Sequence, residues 1–596
     1  MKTRVVDYIA DYLVQKGIHH VFTITGGGAM HLNDAFGHHE KLESIYNHHE
    51  QACAMAAESY TRMTGKLALV CVTSGPGGTN ALTGVLGGWL DSIPMFIISG
   101  QVKRETTIRS TPLPLRQLGD QEFNITDCVK SMTKYAEIVM DETTIKYHLD
   151  RAWFEANNGR GGPVWLDIPL DVQAALIDPD QLQGWERPKN DDLHYDEGLT
   201  PIILKKILEA KKPIVFAGSG IRLSNSHNEF LDLISKLNIP VVTAWNAHDV
   251  LWDNHPLYCG RPGTIGNRGG NFVVENADLI LVLGSRLNIR QISYNFKNFA
   301  VNSYKIMVDI DDAELNKPTL NIDLKVHANV KDVIHSLSNY LDNSDLHITK
   351  EKWLSWCRTI NQNYPTILPK YLNQTSPLNP YAFMGKLFEV LPEGKRIVTS
   401  NGSACVISFQ AGSLKKNQRL YTNSGCASMG YGLPAALGAY VSTHEQIICL
   451  EGDGSIQMNL QELQTIKHNN MNIIIMVLNN NGYHSIRQTQ RNLTKKAMVG
   501  VNKDNGVSFP DFEKIAYAYD IKYVRMDNLN QITQQVQTLL DVNEPILCEV
   551  ILDENQNFEP KLSSKVLEDG TIVSPRIDDM FPFLDREEYE ACRYGE

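Results

Sequence analysis

One stretch of the chain combines residue types that suit the binding of a divalent cation together with a diphosphate. Gly452-Asp453-Gly454 is followed, 24 residues further on, by an Asn-Asn pair that ends at Asn480. The carboxylate of Asp453, the side-chain oxygen of Asn480 and the main-chain oxygen of Gly482 are hard oxygen ligands. Mg²⁺ takes such ligands alongside phosphate oxygens and water. The two glycines allow backbone N–H groups to approach a diphosphate closely. These residues therefore predict a Mg²⁺ site that holds a diphosphate.

The elements that must position these residues are indicated by the flanking sequence. Apolar runs over 447–450 and 473–478 predict two buried strands, and the segment between them predicts a helix over about 460–468. In a doubly wound parallel sheet, ligands bind at the carboxyl ends of the strands. Because Asp453 and Asn480 each follow a strand, we expect both side chains to face one site.

Short apolar strands alternate with helices in three separate parts of the 596-residue chain. This pattern predicts an α/β fold with three doubly wound parallel-sheet domains, and the first and third have a similar order of strands and helices. We predict domains at residues 1–182, 198–342 and 375–555, followed by a C-terminal tail at 556–596. The tail is charged and rich in turn residues but has an apolar cluster at 580–584. It is either a disordered end or a segment that docks as a lid over the active site.

Composition excludes several classes of protein. The formal net charge is −12, the isoelectric point is near 5.9 and no long basic run occurs, which disfavours nucleic acid and anionic membranes as partners. The content of 42% hydrophobic and 21% charged residues is that of a globular protein, and no apolar run approaches the roughly 20 residues of a membrane span. Ten cysteines without metal spacing, and an N-terminus unlike a signal peptide, predict a cytoplasmic protein.

Glu50 is a candidate for proton transfer. It lies where a short predicted strand, Ser44–Asn47, meets a predicted helix. A glutamate at this point has two interpretations. It is either a helix N-terminal residue favoured by the helix dipole, or a carboxylate in a desolvated position that favours its protonated form. The neighbouring His49 either orients the site or has a structural role.

The Gly-Asp-Gly motif and the Asn-Asn pair, at this spacing, resemble the diphosphate-binding motif of thiamine diphosphate (ThDP) enzymes. The segment after Glu50, Ala54–Gly65, resembles its counterpart in the acetolactate synthase-like family, and the resemblance extends over nearly the whole chain. It implies that Glu50 hydrogen-bonds the aminopyrimidine of ThDP, whose own imino group then takes up a proton. It also implies that Gln121 is catalytic and that Met429, an unbranched and polarizable side chain, props the cofactor into its bent form. The implied ThDP contacts are Glu50, Gly75, Gly402, Ser403, Gly425, Met429, Gly452, Gly454, Ser455, Asn480 and Tyr483, and the implied metal ligands are Asp453, Asn480 and Gly482.

The middle domain resembles the FAD-binding domain of the same family. The resemblance therefore implies FAD as a cofactor beside ThDP and Mg²⁺. Some relatives keep this domain without flavin, so both states stay open, and the role of FAD would be structural because carboligation moves no net electrons. The implied FAD contacts are Arg160, Gly218, Gly220, Gly263, Gly266, Asn267, Arg268, Arg286, Arg290, Asp309 and Asp311.

The resemblance implies an enzyme that decarboxylates pyruvate and transfers the two-carbon unit to a second carbonyl compound, with Arg290 and Thr489 as substrate residues. Arg290 matches the family arginine that binds the acceptor carboxylate. The chain departs from true acetolactate synthases at Thr489, Leu170 and Asp120, where a tryptophan, a lysine and a phenylalanine are expected. An alternative acceptor is a keto sugar bound to a nucleotide, because residues 479–490 and the tail resemble carboligases of polysaccharide gene sets.

The family forms its active sites between subunits, which implies a homodimer, or a tetramer built from two such dimers. Two further activities stay open: a simple 2-oxo-acid decarboxylase and an oxidase that uses FAD as electron acceptor. The decarboxylases of this class use a pair of adjacent histidines in one loop. The corresponding segment of this chain, residues 100–122, contains no histidine. A non-enzymatic paralogue is disfavoured because Glu50, Asp453 and Asn480 are all present.

Overall fold

The computed structural model describes residues 2–188, 193–493, 496–563, 565–566 and 571–595, which fold into three parallel sheets flanked by helices. The predicted α/β fold with three parallel-sheet domains is confirmed. Among the helices of the described residues, none has both the length and the apolar character needed to cross a bilayer. All ten cysteines are free thiols.

The first domain contains a six-stranded sheet and a two-stranded antiparallel ribbon that ties its two ends together. Its strands are β1 (Thr3–Arg4), β2 (His20–Thr23), β3 (Glu43–Tyr46), β4 (Leu69–Val72), β5 (Met95–Gln101), β6 (Tyr135–Ile138), β7 (Pro163–Pro169) and β8 (Leu176–Ile177). Its helices are α1 (Val5–Gln15), α2 (Met30–His38), α3 (Glu50–Thr64), α4 (Pro76–Asp91), α5 (Ile125–Val129), α6 (Ile145–Asn157) and α7 (Leu170–Ala174). The sheet order is β3-β2-β4-β5-β7-β6, and β1 pairs with β8.

The middle domain has a five-stranded parallel sheet. Its strands are β9 (Pro213–Ala217), β10 (Val241–Thr243), β11 (Leu279–Leu283), β12 (Tyr304–Asp309) and β13 (Leu324–His327), in the order β10-β9-β11-β12-β13. Its helices are α8 (Leu199–Glu209), α9 (Gly220–Leu223), α10 (His227–Leu237), α11 (Arg268–Asn276), α12 (Ile289–Ile292), α13 (Asp312–Asn316), α14 (Val330–Asp342) and α15 (Glu351–Asn363). The core of this domain continues past residue 342, because Trp353, Cys357 and Ile360 of α15 are buried in it.

The third domain repeats the strand order of the first. Its strands are β14 (Arg396–Thr399), β15 (Arg419–Tyr421), β16 (Ile447–Gly452), β17 (Ile473–Asn479), β18 (Lys522–Met526) and β19 (Ile546–Ile551), in the order β15-β14-β16-β17-β19-β18. Its helices are α16 (Pro369–Leu372), α17 (Pro380–Val390), α18 (Gly402–Ala411), α19 (Gly432–Thr443), α20 (Glu462–His468), α21 (His484–Leu493), α22 (Phe512–Ala518) and α23 (Leu529–Leu540). In both six-stranded sheets the strand order changes direction once near its start, between β2 and β4 in the first domain and between β14 and β16 in the third. The crevice at such a switch point is the expected binding site.

One hydrophobic core joins the first and third domains. Alternate residues of β16 divide between two clusters: Ile447 and Cys449 face the first domain, and Ile448 and Leu450 face the far side of the sheet. Such burial on both faces is typical of a parallel sheet covered by helices. Helix α3 packs along α19 so closely that a Cβ on Gly438 would lie 2.0 Å from the main-chain oxygen of Ala56. Glycine is therefore required where the two helices cross.

The described part of the tail crosses from the third domain to the middle domain. It contains β20 (Lys565–Val566), β21 (Ile572–Val573) and α24 (Arg586–Ala591). Phe558 is buried in the core of the third domain, whereas Ile577 and Tyr589 are buried in the core of the middle domain. The tail thus packs on both domains over its described residues, and the interpretation as a disordered end does not apply to them.

Candidate active site

Asp453 lies directly after β16, at the carboxyl end of the sheet, and only 3% of its surface is exposed. Its Oδ1 accepts a hydrogen bond from the main-chain N–H of Gly454 at 2.8 Å. Its Oδ2 accepts from the N–H groups of Asn480 and Gly482 at 3.1 and 3.0 Å. These three bonds fix the carboxylate against the turn after β17. Burial raises the pKa of Asp453 to about 6 despite these bonds.

Asn480 is buried beside it and is only partly hydrogen-bonded. Its Nδ2 donates to Ser403 Oγ at 3.1 Å, but its Oδ1 is buried with no partner among the described residues. Gly482, in the same turn, has a φ of 149°, and a Cβ there would lie 2.1 Å from the main-chain oxygen of Val501. A buried acceptor without a hydrogen bond is costly, so Asn480 Oδ1 is suited to contact a bound ligand.

The donor set fits a divalent cation. One buried carboxylate and one unpartnered amide oxygen meet at the same turn, and both are oxygen ligands of the kind that Mg²⁺ uses. No group of three His, Cys, Asp or Glu side chains that would form a closed metal cage occurs in the described ranges. Mg²⁺ usually completes its coordination with phosphate oxygens and water, and a cation at this turn would do the same.

The surroundings of the turn suit a diphosphate. Gly402 begins α18 with a φ of 60°, and the buried Ser403 follows it; the N-terminus of a helix carries partial positive charge. A Cβ on Gly454 would lie 2.3 Å from Cε1 of Tyr483, whose ring packs edge-to-face on Phe509 at 5.6 Å between centroids. Together with Gly452, these predicted ThDP contacts cluster at the carboxyl ends of β14, β16 and β17, where the strand order places the crevice.

Met429 lies in a loop of the third domain that is bonded both to its own domain and to the first domain. Ser455 Oγ accepts a hydrogen bond from the main-chain N–H of Gly430 at 2.9 Å, so the predicted cofactor contact Ser455 holds this loop in place. The N–H of Gly425 donates to Asp91 Oδ1 in the first domain at 2.8 Å. The Met429 side chain itself is half-buried and can contact a ligand.

Glu50 is the first residue of α3 and is largely buried. Its Oε2 accepts a hydrogen bond from Nδ2 of Asn80 in α4 at 3.0 Å. The preceding His49 caps the helix, because its Nδ1 accepts from the N–H of Gln51 at 3.0 Å. Of the two interpretations of His49, the structural one agrees with this bond. Asn80 was missed by the sequence analysis, although it lies in the second turn of the helix that follows Gly75.

Gly75 and Gln121 approach each other at the same edge of the first sheet. Gly75 has a φ of 60° and a ψ of −113°, and a Cβ there would lie 2.5 Å from the main-chain oxygen of Gln121. Gln121 itself has a positive φ of 58°. The carboxylate of Glu122 holds their loop by accepting from the main-chain N–H groups of Ile108 and Leu118. Glu50, Gly75 and Gln121 thus lie as one group at the carboxyl edge of the first sheet.

The structure does not join this group to the cation turn. Among the described contacts, no hydrogen bond or ion pair connects Glu50 with Asp453 or Asn480. The two domains meet beside them instead, where Asn459 Nδ2 donates to Gln51 Oε1 at 2.9 Å. The predicted site is thus divided into two parts, or half-sites, one carried by the first domain with Glu50 and one by the third domain with Asp453 and Asn480.

A cleft of about 680 Å³ lies between the middle domain and its two neighbours. The predicted FAD residues that line it are Arg160, Gly220, Arg286 and Asp309. Gly218 packs against Gly284 of the cleft wall, because a Cβ on Gly218 would lie 2.2 Å from the main-chain oxygen of Gly284. The predicted contacts in this group lie at the carboxyl edge of the middle sheet, and the cleft is large enough for part of a nucleotide-sized ligand.

Charged groups already pair within this cleft. Arg160 Nη1 lies 2.9 Å from both Asp311 Oδ2 and Glu314 Oε1. Burial raises the pKa of Asp309 to about 6. A ligand that binds Arg160 through a phosphate would compete with these two carboxylates.

Another group of predicted FAD residues does not line the cleft. Arg268 donates to the main-chain oxygens of Met580 and Pro582 at 3.2 and 2.7 Å, so its guanidinium is held by the tail. Asn267 caps α11 by accepting from Gly270 at 3.0 Å. The members of this group are Gly263, Gly266, Asn267 and Arg268, and their loop supports the tail in the structure.

Arg290 lies beside the tail. Its guanidinium is 5.3 Å from the centre of the Trp245 ring. The N–H of Thr264 donates to the main-chain oxygen of Arg290 at 2.8 Å, and Leu562 donates to the main-chain oxygen of Thr264 at 2.7 Å. This ladder brings the neighbouring Lys561 close to Arg290, and burial together with the charge of Arg290 lowers the pKa of Lys561. Lys561 was missed by the sequence analysis because the ladder joins distant segments.

Thr489 and Arg487 lie on opposite faces of α21. Thr489 is exposed and its Oγ1 donates to the main-chain oxygen of Ser485 at 2.9 Å. Arg487 is 1% exposed and donates to the main-chain oxygens of Asn480 and Asn481 at 3.1 and 2.8 Å. Arg487 therefore contacts the cation turn directly.

Three family profiles match the chain in the order of its domains. They describe thiamine pyrophosphate enzymes: the N-terminal TPP-binding domain matches residues 3–122, the central domain residues 202–337 and the C-terminal TPP-binding domain residues 400–550. The middle sheet, most strands of the other two sheets and the Asp453–Asn480 turn lie within these ranges, whereas β6, β7 and β14 lie outside them. The fold and the site define a thiamine pyrophosphate, or ThDP, enzyme.

Curated relatives specify the family further. The chain is 30% identical over 565 residues to the acetolactate synthase large subunit of Lactococcus lactis subsp. lactis (strain IL1403), which covers 94% of both chains. It is 30% identical over 551 residues to the probable acetolactate synthase large subunit of Methanococcus aeolicus (89% of both). The enzyme of Cyanidium caldarium is 29% identical over 567 residues (93% of this chain, 94% of the relative). The chain belongs to the acetolactate synthase-like family, and it is a ThDP-dependent carboligase.

Proposed function

We propose that the protein decarboxylates pyruvate and transfers the two-carbon unit to the carbonyl group of a second 2-oxo acid. The observation that carries this proposal is that the Asp453 carboxylate and the side-chain oxygen of Asn480, which has no hydrogen-bond partner among the described residues, lie at the same turn of the binding crevice. The relatives named acetolactate synthase support this activity. They give no support to the alternative transfer to a nucleotide-bound keto sugar.

The third domain would hold the cofactor. Asp453, Asn480 and the main-chain oxygen of Gly482 would bind Mg²⁺, and Ser403 and the glycines of the crevice would contact the diphosphate. ThDP, when bound, supplies the electron sink that stabilises the charge left by decarboxylation. The residues of this chain orient the two ends of the cofactor and exclude water, and Met429 supports its middle.

Glu50 would hold a proton at the pyrimidine end of the cofactor. Its position at the start of α3 is largely buried, and Asn80 Nδ2 orients one carboxylate oxygen at 3.0 Å. A carboxyl group held in a fixed position is an effective proton donor and acceptor. Gln121, in the loop that approaches Gly75, would lie on the same side.

A second copy of the chain would complete each site. Because no hydrogen bond or ion pair among the described residues joins Glu50 to Asp453 or Asn480, we propose a C₂ homodimer in which Glu50 of one subunit serves the cofactor held by Asp453 of the other. Exposed apolar side chains beside both half-sites support this assembly: Leu113, Leu118 and Phe123 near Gln121, and Met458 near Asp453. Such a dimer contains two equivalent sites, and two dimers can pair into a tetramer.

The middle cleft would bind FAD in a structural role. Its volume, its glycine-rich walls and the position of Arg160 and Asp309 support this proposal. Arg290, whose charge acts on the neighbouring Lys561, would bind the carboxylate of the acceptor, and Thr489 would be a second substrate residue. Three features remain predictions from the sequence: the domain limits 1–182, 198–342, 375–555 and 556–596, the role of the tail as a lid, and the cytoplasmic location.

The test is an assay of the purified protein with pyruvate, ThDP and Mg²⁺, in which CO₂ and acetolactate are measured together. The proposal expects one acetolactate for each CO₂. CO₂ release without acetolactate would mean that pyruvate is the donor but not the acceptor, and other 2-oxo acids would then be tested as acceptors in turn. Bleaching of bound flavin by pyruvate without oxygen would indicate an oxidase instead. No ThDP-dependent CO₂ release from any 2-oxo acid would refute the proposal.

A further inference from the structure

The turn that carries the proposed cation ligands is held from two sides. On one side, Asp453 Oδ2 accepts hydrogen bonds from the N–H groups of Asn480 and Gly482 at 3.1 and 3.0 Å. On the other side, Arg487 Nη2 donates to the main-chain oxygens of Asn480 and Asn481 at 3.1 and 2.8 Å. The turn therefore lies between a carboxylate and a guanidinium.

The peptide group between Asn481 and Gly482 is restrained at both ends. Its carbonyl points to Arg487 and its N–H points to Asp453, so its plane cannot rotate without the loss of one of these bonds. The carbonyl of Gly482 lies in the next peptide group, whose N–H at Tyr483 donates to the main-chain oxygen of Val501 at 2.9 Å, so the bonds on both sides of Gly482 together restrict where this carbonyl points. A Cβ on Gly482 would lie 2.5 Å from Arg487 Nη2, which shows how closely the guanidinium packs against the turn.

Arg487 is itself fixed by the chain that leaves the third domain. Its Nη1 donates to the main-chain oxygen of Glu554 at 3.2 Å and lies 3.6 Å from the carboxylate of that residue. The other carboxylate oxygen of Glu554 accepts from Asn481 Nδ2 at 2.6 Å. A planar guanidinium with several N–H donors can serve these acceptors at once, whereas an ammonium group is a point donor.

We propose that Arg487 is a positioning residue for the divalent cation. Its guanidinium sets the orientation of the Asn480–Gly482 turn so that the amide oxygen and the main-chain oxygen take fixed places beside Asp453. The inference rests on the proposed cation ligands of this site. It assigns no contact with substrate or cation to Arg487, whose positive charge is directed at carbonyl oxygens on the far side of the turn.

The test measures binding of Mn²⁺, as a probe visible by electron paramagnetic resonance, to the full-length protein with saturating ThDP. Partners that orient metal ligands from outside the coordination sphere typically contribute about 10- to 100-fold to affinity. We expect Arg487→Met to weaken Mn²⁺ binding by this factor and Arg487→Lys to weaken it less. The matched control is Arg491→Met, one turn further along the same helix, where the side chain is exposed; it should bind Mn²⁺ within about twofold of the parent.

A second readout separates positioning from a general loss of stability. Mg²⁺ requires near-ideal octahedral geometry, whereas Ca²⁺ accepts a looser arrangement of oxygen ligands. Competition of each ion against Mn²⁺ should therefore show that Arg487→Met loses more affinity for Mg²⁺ than for Ca²⁺. Equal losses for both ions, or Mn²⁺ affinity unchanged from the parent, would overturn the inference. If Arg487→Met does not fold, the same comparison is made with Arg487→Lys and with Glu554→Gln.

Failure of the underlying cation site gives a different result. Asp453→Asn should abolish Mn²⁺ binding by the parent protein. If the parent does not bind Mn²⁺, or binds it independently of Asp453, the proposed ligands are wrong and the inference about Arg487 is refuted with them. If the parent binds Mn²⁺ through Asp453 and Arg487→Met binds it equally well, only the inference about Arg487 is refuted.

Discussion

Asn80 Nδ2 lies 3.0 Å from Glu50 Oε2, which joins the first turn of α3 to the second turn of α4. Both helices begin at the carboxyl edge of the same parallel sheet. The bond therefore holds the Glu50 carboxyl group at the edge where such sheets bind ligands. Asn80 occupies one carboxylate oxygen, and the other has no hydrogen bond to any residue in the described part of the chain.

Glu50→Gln should remove most of the ThDP-dependent CO₂ release. A glutamine keeps an oxygen that can accept from Asn80, so the local fold is preserved, but it cannot exchange a proton. General acid–base catalysis typically contributes about 10²- to 10⁴-fold, and we expect a decrease in kcat within this range with ThDP binding largely retained. The measurement is CO₂ release at saturating cofactor together with ThDP content. The control is Glu43→Gln, an exposed glutamate on β3, and full activity of Glu50→Gln would refute the role.

Asp453→Ala should lose the cation and ThDP together. The substitution removes a proposed ligand and also leaves the N–H groups of Asn480 and Gly482 without their acceptor. We expect the affinity for both Mg²⁺ and ThDP to fall by more than about 100-fold, because loss of outer partners alone has effects of up to this size. Metal analysis and equilibrium dialysis with ThDP measure this. Asp504→Ala, an exposed aspartate of the same domain, should have no effect, and unchanged Mg²⁺ content in Asp453→Ala would exclude the assigned site.

Much of the fold could be predicted because its strands are short apolar runs buried on both faces. The predicted strand at 447–450 is the first part of β16, Ile447–Gly452, and the predicted run at 473–478 is β17, Ile473–Asn479. Parallel strands covered by helices give this signal without any partner information. The placement of Asp453 and Asn480 at neighbouring strand ends followed from the same rule.

Contacts between distant segments could not be predicted. Arg268 was assigned to the flavin by its motif, but its donors are taken by tail carbonyls more than 300 residues away. Arg487 lies in a polar helical segment, yet it is almost completely buried against the cation turn. The sequence pattern of a segment shows which residue types it contains. The partners of its long charged side chains depend on tertiary packing, which this pattern does not reveal.

Gly75→Ala should destabilise the loop that carries Gln121. The backbone at Gly75 has a φ of 60° with a ψ of −113°, and a Cβ would lie 2.5 Å from the main-chain oxygen of Gln121. Strain of this type contributes of order 1–3 kcal/mol. The control is Gly17→Ala, where φ is 84° but no heavy atom lies within 4 Å of the added Cβ. We expect a larger loss of unfolding free energy, and a larger loss of CO₂ release, for Gly75→Ala than for Gly17→Ala; equal effects would contradict the steric explanation.

The attachment of the tail to α11 should depend on pH through Glu275. This buried carboxylate accepts from Arg576 Nη2 at 2.5 Å and from the N–H of Ala300 at 3.0 Å, and it faces Asp578 and Arg593 of the tail. Burial, with a smaller effect of Asp578, raises its pKa from 4.5 to about 7. Between these two values the unfolded chain has released the proton while the folded chain retains it. The contribution of Glu275 to stability is therefore most favourable below pH 4.5 and decreases as the pH rises toward 7.

Comparison of the parent with Glu275→Gln isolates this effect, because glutamine does not titrate. The free energy of unfolding of the parent, relative to the variant, should fall by up to about 3 kcal/mol between pH 4.5 and 7.5, since one pKa unit corresponds to 1.36 kcal/mol. Denaturant unfolding at several pH values measures the difference. Glu351→Gln, an exposed glutamate at the start of α15, serves as the control. A difference between parent and Glu275→Gln that stays constant, or that increases with pH, would show that the ion pair with Arg576 outweighs burial at this carboxylate.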